Sequence, residues 1–165
     1  MSEDTIIQPL EKLLLLHKSL YQIAKQKTDK IKFADIDALR SLLNDEMRHI
    51  QAIKKFETEL LHNAKALIEQ DGLTVTKEFS LNDCIDLFIA PTKQKLVQLK
   101  KSLDMQIQEL KFQNDLNQQL LEQSLQFVNL SLDMLMPDID SYNYDRPGQY
   151  QQAGQEGRSI FDSKA

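Results

Sequence analysis

Two Glu-x-x-His pairs, Glu46–His49 and Glu59–His62, are the residues whose types and spacing most resemble a reactive centre. On a helix this spacing sets a carboxylate and an imidazole on one face, and in di-iron carboxylate bundles such pairs ligate metal. Here both pairs fall within one predicted helix. They are thirteen residues apart, or about 20 Å along the axis, so they cannot share a metal pair. The further glutamates that facing helices would have to supply are not evident. Solvated polar residues at helical spacing are the expectation. Cys84 has no histidine close by in sequence and suits a small buried apolar role better than a nucleophile's. No Gly-rich phosphate loop, Cys-x-x-Cys or Ser-His-Asp pattern can be read. The sequence therefore points to no catalytic residue, no metal, no cofactor and no enzymatic activity.

The elements that carry these residues read as long helices. Only four glycines are present in 165 residues, three of them beyond position 147, while Leu, Lys, Glu and Gln abound. Apolar residues at Ile6, Leu10, Leu13, His17, Leu20 and Ala24 alternate gaps of four and three, which is a heptad seam. Ile7, Leu14 and Tyr21 form a second stripe. These predict a first helix over about 5–31. His17 is either a buried polar residue that sets register or a seam edge near solvent, and the second is the expectation.

Asp35 reads as an N-cap. The seam resumes at Ile36, Leu39, Leu43, Glu46, Ile50, Ile53, Glu57, Leu60, Ala64 and Leu67, and Gly72 is a left-handed stop. This second helix spans about 50 Å. A connector, "GLTVTKEF", has some extended character. Ser80 and Asp83 resemble a capping box, and a short helix through "LNDCIDLFI" ends before Pro91. Thr92 can cap a third long helix that runs without glycine or proline to Met136, about 65 Å. Its seam is Leu96, Leu99, Leu103, Ile107 and Leu110. The expected fold is all-α: an antiparallel long-helix hairpin with a third long helix packed along it, a coiled-coil-like bundle. Residues 1–137 would form the bundle domain. Residues 138–165, with no leucine, would form a disordered client-binding or regulatory tail.

The charge of −5 disfavours nucleic acid as a partner, since no excess of Lys and Arg is present to neutralise phosphates. The single cysteine suits a reducing compartment. The acidic "MSEDTIIQPL" start has no basic n-region, and "LLLL" at 13–16 is far too short to span a bilayer. A cytoplasmic location without membrane insertion is expected.

The end of the third helix, "LNQQLLEQSLQFVNLSLDMLM", is the most informative stretch. At 100° per residue, Leu116, Leu120, Phe127, Leu130 and Met134 make one apolar flank. Leu121, Leu125, Val128, Leu132 and Leu135 make another. Asn117, Ser124 and Ser131 run between them, seven residues apart. The apolar arc is roughly 220° wide, against about 100° for a helix covered on one face. Either both flanks are covered by this chain, or one packs at home and the other receives a partner helix. An interfacial membrane helix is disfavoured because the polar side of 116–136 carries no Lys or Arg.

"FQNDLNQQLLEQSLQFVNLSLDMLMP" followed by "YNYDRPGQ" resembles the C-terminal signature of the FlgN family of flagellar type III export chaperones. The matching features are Asn114 and Asn117, the leucines after them, "SLQFV" at 124–128 and the tyrosine-rich "YDRPGQ" at 144–149. "DIDAL" at 35–39 and the order of hairpin, short helix and long last helix are similar too. The closing "SIFDSKA" is similar to Bacillus-type members. The resemblance implies a cytoplasmic chaperone that binds the hook-associated, hook–filament junction proteins as clients, keeps them unassembled, and delivers them to the flagellar export gate. It implies client contact through the C-terminal part: Leu120, Leu121, Leu125, Phe127, Val128, Leu132 and Leu135, with Tyr142 and Tyr144 assisting. Which flank faces the client is left open. The alternative is a self-associating structural coiled coil, a homodimer whose flanks pair between copies.

Overall fold

The seam residues of the first helix leave water almost completely. In a computed structural model that describes residues 3–75 and 78–135, Ile6, Leu10, Leu13, His17, Leu20 and Ala24 are all buried, and the line continues through Thr28 and Ile31. The helices are α1 (Asp4–Lys32), α2 (Ile36–Gln70), α3 (Leu81–Ile85) and α4 (Thr92–Leu135), with no strand among the described residues. The fold is all-α, as the patterning predicts. By packing, the chain divides into two units, residues 1–122 and 123–165. The expected boundary at 137/138 and the expected tail fall outside the described residues.

In the first unit, α1 and α2 form an antiparallel hairpin. Lys27 pairs with Glu46 at 2.6 Å, and Ser19 meets His49 at 2.7 Å. At the other end of the hairpin, the Asn63 side-chain amide donates to the Thr5 carbonyl at 2.9 Å. That last bond has a local cause. Pro9 lies inside α1 and has no N–H to offer the carbonyl four residues before it. Asn63 of α2 supplies a donor there.

The caps follow the expected chemistry. The Asp35 carboxylate accepts from the Ala38 amide at 3.1 Å. Gly72 sits at φ +78°, in the left-handed region where a side chain would be strained. The Asp83 carboxylate accepts from the Ser80 amide and hydroxyl, at 2.6 and 3.0 Å.

Helix α4 lies parallel to α1. Lys95 reaches Glu11 at 3.0 Å, and twenty-two residues later Asn117 bonds the Ala24 carbonyl. The connector returns the chain to the end where α1 began, so α4 runs alongside α1 and opposite to α2. Leu96, Leu103 and Leu110 enter the same core as Ile6, Leu10, Ile53, Leu60, Cys84 and Ile85. Burial pushes the Cys84 thiol up to about 11, which keeps it protonated and apolar at neutral pH.

Several expectations are corrected. His17 is not at a seam edge near solvent. It is 1% exposed, and its Nδ1 lies 2.7 Å from the Leu13 carbonyl. The seam of α2 is buried only in its second half, at Ile53, Leu60 and Ala64, with Ile68 buried beside a half-buried Leu67, while Ile36 and Leu43 are exposed. At that end of the bundle α4 contributes Gln113 and Asn117, both engaged with α1, in place of leucine. Thr92 is the first residue of α4 rather than a cap before it. α3 closes after five residues, with Leu87 and Phe88 amides bonding back three residues in tight turns. The connector is irregular over its described residues, with Val75 and Phe79 packed against the core.

Burial holds the His17 imidazole below its ordinary value of 6.5, and the bond to Leu13 offsets this only in part. The unfolded chain therefore takes up the proton first as pH falls. The contribution of neutral His17 is fully present above pH 6.5 and is lost as pH drops towards the lowered folded-state value. Thermal unfolding followed by circular dichroism should show the melting temperature falling as the medium is acidified below that point. In His17→Leu this acid limb should be shallower.

Candidate functional site

The metal reading of the Glu-x-x-His pairs finds no support in their surroundings. Glu46 is tied to Lys27 across the hairpin, and His49 sits between Ser19 and the Asp45 carbonyl. Glu59 and His62 are exposed. Among the described residues no group of three or more His, Cys, Asp or Glu side chains could hold a metal ion.

The candidate site is α4 from Leu116 onward. This stretch stays helical because it lacks glycine, proline and any run of β-branched residues, and Leu and Gln dominate it. Its anchor is a buried polar layer. The Asn117 side-chain amide donates to the Ala24 carbonyl at 2.8 Å, and the Thr28 hydroxyl bonds the Asn117 carbonyl oxygen. Gln113 donates to the Thr28 hydroxyl at 2.6 Å. Asn117 is 4% exposed and Thr28 7%. A buried amide that bonds one partner helix through both its nitrogen and its oxygen loses those bonds in any slip, so this layer fixes the register of α4 on α1. Thr28 lies four residues before the end of α1, so α1 has about one more turn to offer α4.

Beyond this layer burial stops. Leu120 is half-buried. Leu121, Leu125, Phe127, Val128, Leu132 and Leu135 are all exposed, Phe127 at 70% and Leu135 at 78%. Leu116, Leu130 and Met134 are exposed as well. Over residues 123–135, every side chain except the half-buried Ser131 is exposed. Leu130 and Met134 belong to the same surface although they fall outside the residues singled out from the family resemblance. Their helical spacing from Phe127 is the signal that finds them. Tyr142 and Tyr144 lie outside the described residues.

A bare apolar stretch of this size is uncommon on a protein that acts alone. Glu122 and Asp133, on the helix face opposite the apolar arc, are the only charged residues from 116 to 135, with no Lys or Arg. The surface offers apolar contact area. It brings together no nucleophile, general base or metal ligand set.

The chain is similar to known proteins over most or all of its length. A family model described as "FlgN protein" matches residues 1–152. The chain is 31% identical to the uncharacterized protein YvyG of Bacillus subtilis (strain 168) over 165 residues, which is all of both chains. No solved structure matches. Among the described residues, no helix is long and apolar enough to cross a membrane.

The two roles along α4 separate by stability. Asn117→Ala should lower unfolding free energy by about 1–3 kcal/mol, because the Ala24 carbonyl and Thr28 hydroxyl each lose a buried hydrogen bond. Phe127→Asp with Val128→Asp, at exposed positions, should change it by no more than about 0.5 kcal/mol. Urea unfolding of both variants checks the contrast.

Proposed function

This chain belongs to the FlgN family of flagellar export chaperones, and on that premise we propose that it binds hook–filament junction proteins in the cytoplasm, holds them unassembled, and passes them to the flagellar export gate. The observation that carries this reading is the pair of exposed apolar flanks at the end of α4. A junction protein polymerises through amphipathic helices, which would aggregate if left bare. Laying such a helix on Leu121, Leu125, Val128, Leu132 and Leu135, or on Leu120 and Phe127, covers both apolar surfaces at once. Burying about 600 Å² of apolar area at about 25 cal/mol per Å² gives a gross gain near 15 kcal/mol. Lost rigid-body freedom and side-chain ordering subtract much of this, leaving about micromolar to nanomolar affinity. A complex of that strength holds in the cytoplasm and comes apart at the gate. The role is binding without chemistry.

We assign residues 1–137 to the folded domain, and to 138–165 an assisting part in client capture through Tyr142 and Tyr144. Tyrosine offers large contact area at small entropic cost.

In a pull-down with purified junction proteins, the Phe127→Asp, Val128→Asp variant should retain no client. Undiminished capture would remove the site from α4. Light scattering across concentration separates the self-associating alternative: a stable dimer that masks α4 and takes no client would favour it. Deleting residues 138–165 should leave the melting temperature nearly unchanged, and a large drop would mean that this segment belongs to the fold.

A further inference from the structure

We infer that the outer side of α2 is a docking face for an acidic amphipathic helix of a partner protein. This face is separate from the client-binding reading of α4 and does not rest on it.

Six residues set its geometry. Ile36, Leu43, Met47, Ile50, Lys54 and Leu61 follow one another at gaps of seven, four, three, four and seven. At about 100° per residue they fall in one line along α2. Ile53, Leu60 and Ala64, which enter the core, lie about 90° round the helix from it. The line is open to water: Ile36 and Met47 are each 61% exposed, Leu43 and Leu61 are exposed too, and Ile50 is half-buried. Gaps of three, four and seven are those into which a neighbouring helix packs its own side chains.

Charge says which helix fits. Lys54 lies in the line itself, and Arg40 and Lys65 stand within about 50° of it on the outer side. All three are exposed, and none of them forms an ion pair among the described residues. Between residues 36 and 65, the carboxylates nearest the line on that side are Asp37 and Glu59, about 110° or more away. On the other side Glu57 stands about 50° away, and Glu46 is already tied to Lys27. The apolar line thus carries a cationic margin. A partner helix with a leucine stripe covers the line, and Asp or Glu beside that stripe meets Arg40, Lys54 and Lys65.

Other occupants match less of this face. A second copy packed through it brings the same excess of cations to both sides. A helix lying on a bilayer sinks an apolar face whose cations stay on the polar side, whereas Lys54 sits in the middle of the apolar line. Nucleic acid would leave the apolar line unused, and the chain carries a net charge of −5.

The test titrates the full chain into a fluorescein-labelled helical peptide of three heptads, with leucines at three- and four-residue spacing and glutamates beside them, read by anisotropy. A twin peptide has lysine in place of every glutamate. The glutamate peptide should bind, and the lysine peptide about tenfold or more weakly, a gap that added salt narrows. Arg40→Glu with Lys54→Glu should reverse that preference. Leu43→Ser with Met47→Ser should weaken the glutamate peptide about tenfold or more, with urea unfolding unchanged because both positions are exposed. Phe127→Asp with Val128→Asp should leave its binding as it was. Failure of the glutamate peptide to bind, equal binding of the two peptides, or loss through the Phe127 and Val128 variant instead of the α2 variants overturns the inference. Three further outcomes give the face to another occupant and overturn it as well. These are binding to phosphatidylserine vesicles that the α2 variants abolish, a dimer in sedimentation that Leu43→Ser with Met47→Ser dissolves, and tighter peptide binding once residues 138–165 are deleted.

Discussion

The parallel packing of α4 on α1 is the constraint on which the rest of this molecule depends. It is made by a line of residues at seven-residue intervals, leucine at 96, 103 and 110, closed by Asn117. The leucines supply most of the burial on α4. The Asn117 layer with Thr28 and Ala24 adds specificity, because an amide satisfied in one register is unsatisfied in every other. A wholly apolar seam of leucines could slip by a heptad with little penalty. A slip would also change how much of α4 its neighbours cover, so the polar layer sets the amount of apolar surface left exposed.

Polar residues are concentrated where the apolar core ends. Thr28, Gln113 and Asn117 lie together near the end of α1, and α2 is exposed at Ile36 and Leu43 close to the same turn. At the opposite end the core is thick, with Ile6, Leu10, Ile68, Cys84 and Ile85 buried and α3 closing over them. The bundle thus has a firmly packed end at the connector and a thinner, more polar end at the hairpin turn. Apolar burial is concentrated in the first.

Charge is distributed along α4 in the same sense. Its first half carries Lys93, Lys95, Lys100, Lys101 and Lys111, with Lys95 pairing to α1 and Lys100 to Asp104 on its own helix. Its last twenty residues carry two carboxylates and no cation. The ion pairs of the first half are mostly exposed and contribute little to stability. The Lys27–Glu46 pair, largely shielded between α1 and α2, is the exception that helps align the hairpin.

Much of this was legible in the chain itself. Low glycine and proline, caps at Asp35 and Ser80, the stop at Gly72 and the alternating three-and-four spacing determined the helices, because those signals act within one or two turns. The amphipathic flanks of 116–135 were legible for the same reason. Tertiary structure decided what each stripe faces. His17 reads as a seam-edge residue until the bundle closes over it, and Ile36 and Leu43 read as core until the fold leaves them exposed. Periodicity states that a face is apolar; only the lengths and register of neighbouring helices state whether something covers it. No local pattern in residues 116–135 therefore encodes their exposure.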